Sequence, residues 1–150
     1  MEFHKEILKF RKVVLDSSIL IYHLEDLQPY AEMTENIFTA VASRSLHAVL
    51  STISVTELLV QPFAHGGGEQ LTAFEKFLFS LPNLELVPPS YLIAREAARL
   101  RSRYRLRTPD ALLVATALKE QADSFITNDA RLRNLNKEGL RILILDDYLP

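Results

Sequence analysis

Five short apolar runs rich in Val, Ile and Leu, set between longer stretches of helical period, constrain this chain more than any other feature. The runs fall at residues 11 to 15 or 16, 47–51, 84–88, 124–127 and 141–145. Helical segments begin near Ser17, Ala31, Ser54, Gln70, Tyr91 and Pro109, with a last short one near Ala130. This alternation predicts an α/β fold of five parallel strands and about seven helices. Right-handed crossovers would cover both faces of the sheet and put any site at the carboxyl ends of the strands. Residues 1–150 are expected to form one domain, in which Gly66 to Gly68, Pro82-Asn83 and Pro88-Pro89 mark internal loops.

Composition removes several classes of function. With 48% hydrophobic residues, 7 Pro and 4 Gly, the chain can bury a core and is neither disordered nor fibrous. The absence of Cys excludes disulfides, thiolate catalysis and Cys-based zinc or iron–sulfur sites. Three of the four Gly are consecutive, so neither a dinucleotide fingerprint nor a phosphate-binding P-loop can be assembled. A balance of 17 basic against 19 acidic residues means that any nucleic-acid surface must be local. No apolar run approaches the roughly 20 residues that a bilayer span needs. The start, MEFHKEILKFRK, is too charged for a secretory leader, so a cytoplasmic protein with no membrane contact is expected.

Four carboxylates fall where the topology rule says to look. The run VVL leads directly into Asp16, and FIT leads through Asn128 into Asp129. Glu57 lies in the first turn of the helix after HAVLS, and Asp110 lies just inside the helix that Pro109 opens. Each also has a purely structural use. Asp16 can accept amide hydrogen bonds at a helix start, and Ser54-Val55-Thr56-Glu57 matches a capping box. Thr108-Pro109-Asp110 reads as a cap, a first-position Pro and an acid favoured by the helix dipole, while Asn128-Asp129 is ordinary turn chemistry.

The surroundings argue for more than capping. Asp110 leads ALLVATAL, apolar nearly all round, and Glu57 precedes Leu58, Leu59 and Val60. Two unit charges about 4 Å apart repel by roughly 4 kcal/mol at an effective dielectric near 20, so clustered carboxylates need a cation or must bind protons. His4, His23, His47 and His65 are scattered and offer zinc no cage. Oxygen-only ligands suit Mg²⁺ or Mn²⁺, and such a site fits phosphodiester hydrolysis.

VVLDSSILIYHLE, STISVTELL, RTPDALLVATAL and SFITNDARL, in that order, resemble the four acidic motifs of PIN-domain ribonucleases, most closely VapC-like toxins. The resemblance implies a three-layer α/β/α fold around a central five-stranded parallel sheet. It makes Asp16, Glu57, Asp110 and Asp129 the catalytic, metal-binding acids, with Mg²⁺ or Mn²⁺ as cofactor. Thr127 matches the family's hydroxyl residue beside the fourth acid, and Ser17 completes the Asp-Ser pair; both are candidates for positioning substrate. Ser18 departs from the pattern, since relatives commonly carry Asn there; the position is expected to orient Asp16. The resemblance further implies endonucleolytic cleavage of RNA, a homodimer and an antitoxin partner.

Rival folds fail on the same residues. A haloacid-dehalogenase phosphatase needs a second Asp where Ser18 stands, and a metal-dependent adhesion site needs Ser where Leu20 stands. The competing reading is a non-catalytic PIN-like domain that binds RNA or protein.

Between Arg95 and Arg107 the chain carries six Arg against the single acid Glu96. On a helix, Ile93, Ala97, Leu100 and Tyr104 form the buried stripe, so most of these Arg are expected on a solvated face. Arg107, nearest in sequence to Asp110, is the candidate for holding substrate phosphates. Tyr22, Tyr30 and Tyr104 are expected in core or interface rather than as base-stacking platforms.

Overall fold

In the computed structural model, which describes residues 2–150, the five runs are strands β1 (Lys12–Leu15), β2 (His47–Ser51), β3 (Leu84–Val87), β4 (Ser124–Thr127) and β5 (Arg141–Ile144). All pair in parallel, in the order β3-β2-β1-β4-β5. Seven α-helices connect or flank them: α1 (Phe3–Ile7), α2 (Ser17–Leu24), α3 (Ala31–Ala42), α4 (Thr52–Ala64), α5 (Gly68–Ser80), α6 (Tyr91–Arg103) and α7 (Thr108–Lys119). Two 3₁₀ helices, Ala130–Glu138 and Leu145–Tyr148, complete the chain.

The strands read as continuous apolar runs because both faces of the sheet are covered. Side chains alternate between two cores, one on each face. Val13, Leu15, Ala48, Leu50 and Ile126 join the first, with Ile19 and Leu20 of α2, Ile37 and Val41 of α3 and Leu58 of α4. Val14, Val49 and Phe125 join the second, with Ala97 and Leu100 of α6 and Leu113 and Val114 of α7. The helix carrying ALLVATAL is buried on several sides, as its composition requires: Ala111, Leu113, Val114, Ala115, Thr116 and Ala117 are all inaccessible.

The order of strands reverses between β1 and β4. From β1 the chain builds outward through β2 and β3, then returns to place β4 on the other side of β1. Such a reversal leaves a crevice outside the carboxyl ends of the two central strands. Leu15 is in register with Ile126, and the Asp16 amide donates to the Ile126 carbonyl at 3.0 Å. Asp16 and Asp129 therefore leave adjacent strands at the mouth of that crevice.

The structure departs from the sequence expectations at several boundaries. Helix α1 was not expected, because MEFHKEILKFRK looks like charged surface. Phe3 and Ile7 are nevertheless buried, Phe3 packs edge-on against Tyr148 with ring centroids 5.3 Å apart, and the buried Glu6 is paired with Arg141 and Lys9. Helix α4 begins at Thr52, before Ser54, because the Ser51 hydroxyl accepts the Ile53 amide and caps the helix there. Ser54 and Glu57 consequently form no capping box. Helix α7 starts at Thr108, with Arg107 rather than Thr108 in the cap position. Gly66, Gly67 and Gly68 all take positive φ, a turn that side chains disfavour, and α5 starts at once from the last of them. No helix among the described residues is long and apolar enough to cross a membrane.

Phe125, fully buried in the centre of the second core, is the position most sensitive to truncation. Phe125→Ala is expected to lower the free energy of unfolding by about 3–5 kcal/mol in urea titration, and a loss below about 1 kcal/mol would contradict this packing.

Candidate active site

Asp16 stands at the junction of β1 and α2, with extended backbone that turns its carboxylate back onto the helix start. Its Oδ1 accepts the Ser17 amide at 2.8 Å, and its Oδ2 accepts the Thr127 hydroxyl at 2.6 Å. Thr127, fully buried at the end of β4, uses the same oxygen to accept the Asp129 amide at 3.1 Å. One hydroxyl thus joins the acid after β1 to the backbone of the acid after β4.

Glu57 is brought in from the far side. Ser17 Oγ donates to Glu57 Oε1 at 3.2 Å and lies 3.4 Å from Asp16 Oδ1, so its proton is shared between two acids on different helices. The Glu57 carboxylate, released from any capping role, points across to α2. Asp110, in the first turn of α7, accepts Arg107 Nε at 3.1 Å. Asp129 caps the following 3₁₀ helix by accepting the Arg131 amide at 3.0 Å, and it also takes the Arg131 guanidinium on both oxygens at 2.9 and 2.7 Å. The capping use foreseen for Asp16 is real, and Asp129, expected only in a turn, also caps a helix. Glu57 shows none, and Asp110 makes its bond to Arg107.

Electrostatics shows that these groups share one rim. Burial pushes the Asp16 carboxyl above its ordinary range; hydrogen bonds from Thr127 and Ser17 oppose the shift and the Asp110 charge adds to it. Burial likewise raises Glu57, opposed by Ser17 and Arg107 and reinforced by the charges of Asp16 and Asp110. Asp129 is held low, first by its hydrogen bond to Arg131, with Arg107 adding a smaller attraction. Arg131 in turn feels Asp110 as well as Asp129. Asp16 and Glu57 therefore lie within reach of the Asp110 charge, and Asp129 is tied to Asp16 through Thr127.

The donor set suits a hard divalent cation: it is all oxygen, and two of its members are already penalised for being charged. Among the described residues, no three His, Asp or Glu side chains stand as a ready-made metal cluster. Two of the four acids are instead ion-paired, Asp110 with Arg107 and Asp129 with Arg131. A cation shared by all four acids would have to displace those guanidinium groups, both well exposed and so free to swing away. No His contributes: His23 packs against Phe38 and Phe77, and His47 bonds Glu85 at the β2–β3 edge.

Asp16 and Asp129 open onto a cleft of about 440 Å³ whose lining also includes Ser18, Tyr22, Asn128 and Arg131. Several of these were missed or misjudged from sequence. Ser18 does not hold Asp16, a task taken by Ser17 and Thr127; its own Oγ is buried at the cleft wall without a partner. Tyr22 lines the cleft rather than the core alone, stacked on Tyr30 at 4.3 Å, with its hydroxyl accepting the Asn128 amide at 3.2 Å. Arg131 carried one usable signal, its place two residues after a capping Asp, where a side chain can fold back onto the cap.

Acids raised by burial oppose folding once they ionise. A native carboxyl above its unfolded value costs stability as pH rises from the unfolded value through the native one, so Asp16 and Glu57 both weaken the metal-free protein near neutral pH. Glu57→Gln keeps an acceptor for Ser17 and removes that charge. In EDTA at neutral pH its melting temperature is expected to equal or exceed that of the unaltered chain, and a drop of several degrees would show that the carboxylate is structural.

Comparison with known proteins agrees with this geometry. A family model described as PIN domain matches residues 13–138. Among solved structures, VapBC2 from Rickettsia felis, bound to a DNA fragment from its promoter, superposes with a TM-score of 0.70 at 18% identity, covering 87% of this chain and 96% of that chain. FitAcB from Neisseria gonorrhoeae gives 0.67 at 18% identity over 87% and 96%. VapC20 from Mycobacterium tuberculosis, described as a Sarcin-Ricin loop cleaving toxin, gives 0.65 at 11% identity over 85% and 95%. At these identities the likeness speaks to the fold. No curated protein matches the chain.

Proposed function

We propose, from the premise that this chain belongs to the PIN domain family, that it is a divalent-metal-dependent endoribonuclease and the toxin of a type II toxin–antitoxin pair. The observation that carries this reading is the meeting of Asp16 and Glu57, carboxylates from separate elements bridged by Ser17 Oγ at a strand-order reversal, where burial and the nearby Asp110 charge raise both. An arrangement so unfavourable by itself is compensated by a cation.

Asp16, Glu57, Asp110 and Asp129 would hold Mg²⁺ or Mn²⁺. The ion supplies positive charge against the phosphodiester oxygens and acidifies the attacking water. The chain's own residues do the positioning. Thr127 and Ser17 hold both Asp16 oxygens from one side, leaving the outward lone pairs for ligation. Ser17 holds Glu57 through Oε1, which leaves Glu57 Oε2 as ligand or proton acceptor. Arg107 and Arg131, each on an acid at the rim, are placed to turn to the substrate's phosphates. The same reading makes the protein a homodimer whose site a cognate antitoxin blocks; structures of similar fold are described as a toxin-antitoxin complex and as a member of the VapBC family of toxin-antitoxin systems.

The paired state of Asp110 and Asp129 favours one other reading, a PIN-like domain in which arginines replace the metal and no cleavage occurs. Purified chain, freed of any bound protein, separates the two when incubated with structured RNAs and Mn²⁺. Cleavage that EDTA stops reversibly, and that Asp16→Asn lowers at least about a hundredfold without changing the circular dichroism spectrum, is the expected result. Cleavage undiminished by EDTA or by the substitution would sink the metal mechanism.

A further inference from the structure

The Arg-rich segment does not form a uniform solvated face. Arg99 is committed to Glu96 and Glu138, tying α6 to the end of the 3₁₀ helix, and Arg101 to the Leu106 carbonyl at 3.0 Å and Thr108 Oγ1 at 2.9 Å, holding the α6–α7 connection. The next two turn elsewhere. Arg103 and Arg105 line an open cleft of about 410 Å³ whose other wall, from the 3₁₀ helix, supplies Arg131, Asn134 and Lys137. Four cations face one opening, and no carboxylate lines it. Arg105 and Lys137 have no ion-pair partner among the described residues, and Arg103 has only a 3.8 Å contact with Glu138, which is already bonded to Arg99 and Tyr104. In a chain of net charge −2, this concentration is local.

Position makes the cleft informative. Arg131 lines both this opening and the one that contains Asp16 and Asp129, so the two adjoin at its side chain. An RNA strand whose scissile phosphate lies at the acids must carry its neighbouring phosphates past the rim, where carboxylates would repel them and cations would hold them. We infer that the cleft between the α6 end and the 3₁₀ helix, bounded by Arg103, Arg105, Arg131 and Lys137, binds the RNA backbone on one side of the cleavage point. This rests on the nuclease reading above and adds a direction to it: the substrate leaves the acids over Arg131 towards Arg105. Asn134 offers an uncharged amide for sugar or base edges in the same channel.

The test compares two double variants in an Asp16→Asn background, where RNA stays intact. Arg105→Ala/Lys137→Ala removes two cations from the cleft. Arg95→Ala/Lys76→Ala removes two exposed cations from α6 and α5 outside it. Binding of a mixed-sequence single-stranded RNA is measured against salt. The cleft variant is expected to bind about tenfold more weakly at low salt, with the log–log salt slope shallower by about 1.4, two phosphate contacts at about 0.7 each. The control is expected to keep both values. Equal binding by the two variants, while the unaltered chain cleaves RNA with Mn²⁺, would overturn the cleft and leave the nuclease standing. Failure of the unaltered chain to bind or cleave RNA would overturn both. If the cleft variant kept RNA but lost an oligoglutamate peptide, the surface would belong to an acidic protein partner and the inference would fall.

Discussion

The hydrogen bond from Thr127 to Asp16 is the contact on which the site depends. It joins the ends of the two strands between which the sheet reverses, and its donor oxygen is pinned by the Asp129 amide. The hydroxyl is completely buried, so water cannot substitute for either partner. A short bond there fixes the spacing of two acids 113 positions apart in the chain, and the parallel register of Leu15 with Ile126 makes it possible.

Around that bond the structure balances charge by two means. Asp16 and Glu57 sit inward, where burial and neighbouring negative charge make ionisation costly and their partners are neutral hydroxyls and one backbone amide. Asp110 and Asp129 sit outward, where exposed arginines satisfy them cheaply. The inner pair creates a demand for positive charge, and the outer pair holds mobile positive groups beside that demand. This division gives a reason for Arg131 to border both the acidic opening and the basic one: it is at the boundary where the sign of the surface changes.

Much of this was legible beforehand. Strand positions could be read to within a residue because a sheet covered on both faces demands unbroken apolar runs, and the four acids could be read because each follows or opens a recognisable element. Helix α1 could not, since so short a segment becomes a helix only when Phe3 and Ile7 find the core and Glu6 finds Arg141. Glu57 was assigned a plausible cap that the earlier cap at Ser51 pre-empted. The partners of Ser17, Ser18 and Tyr22 could not be read until α2 was oriented against β4 and α4, because a hydroxyl's partner depends on which way its helix face turns.

Local chemistry in the chain determined the α/β class, the order of elements and the residues that terminate strands in carboxylates, because periodicity and chain punctuation are short-range properties. Only the folded molecule decided which hydroxyl holds which acid, which arginines are spent on structure and which face the cleft. Those outcomes depend on crossing angles and registers between segments far apart in the chain, where a shift of one residue reverses the direction of a side chain.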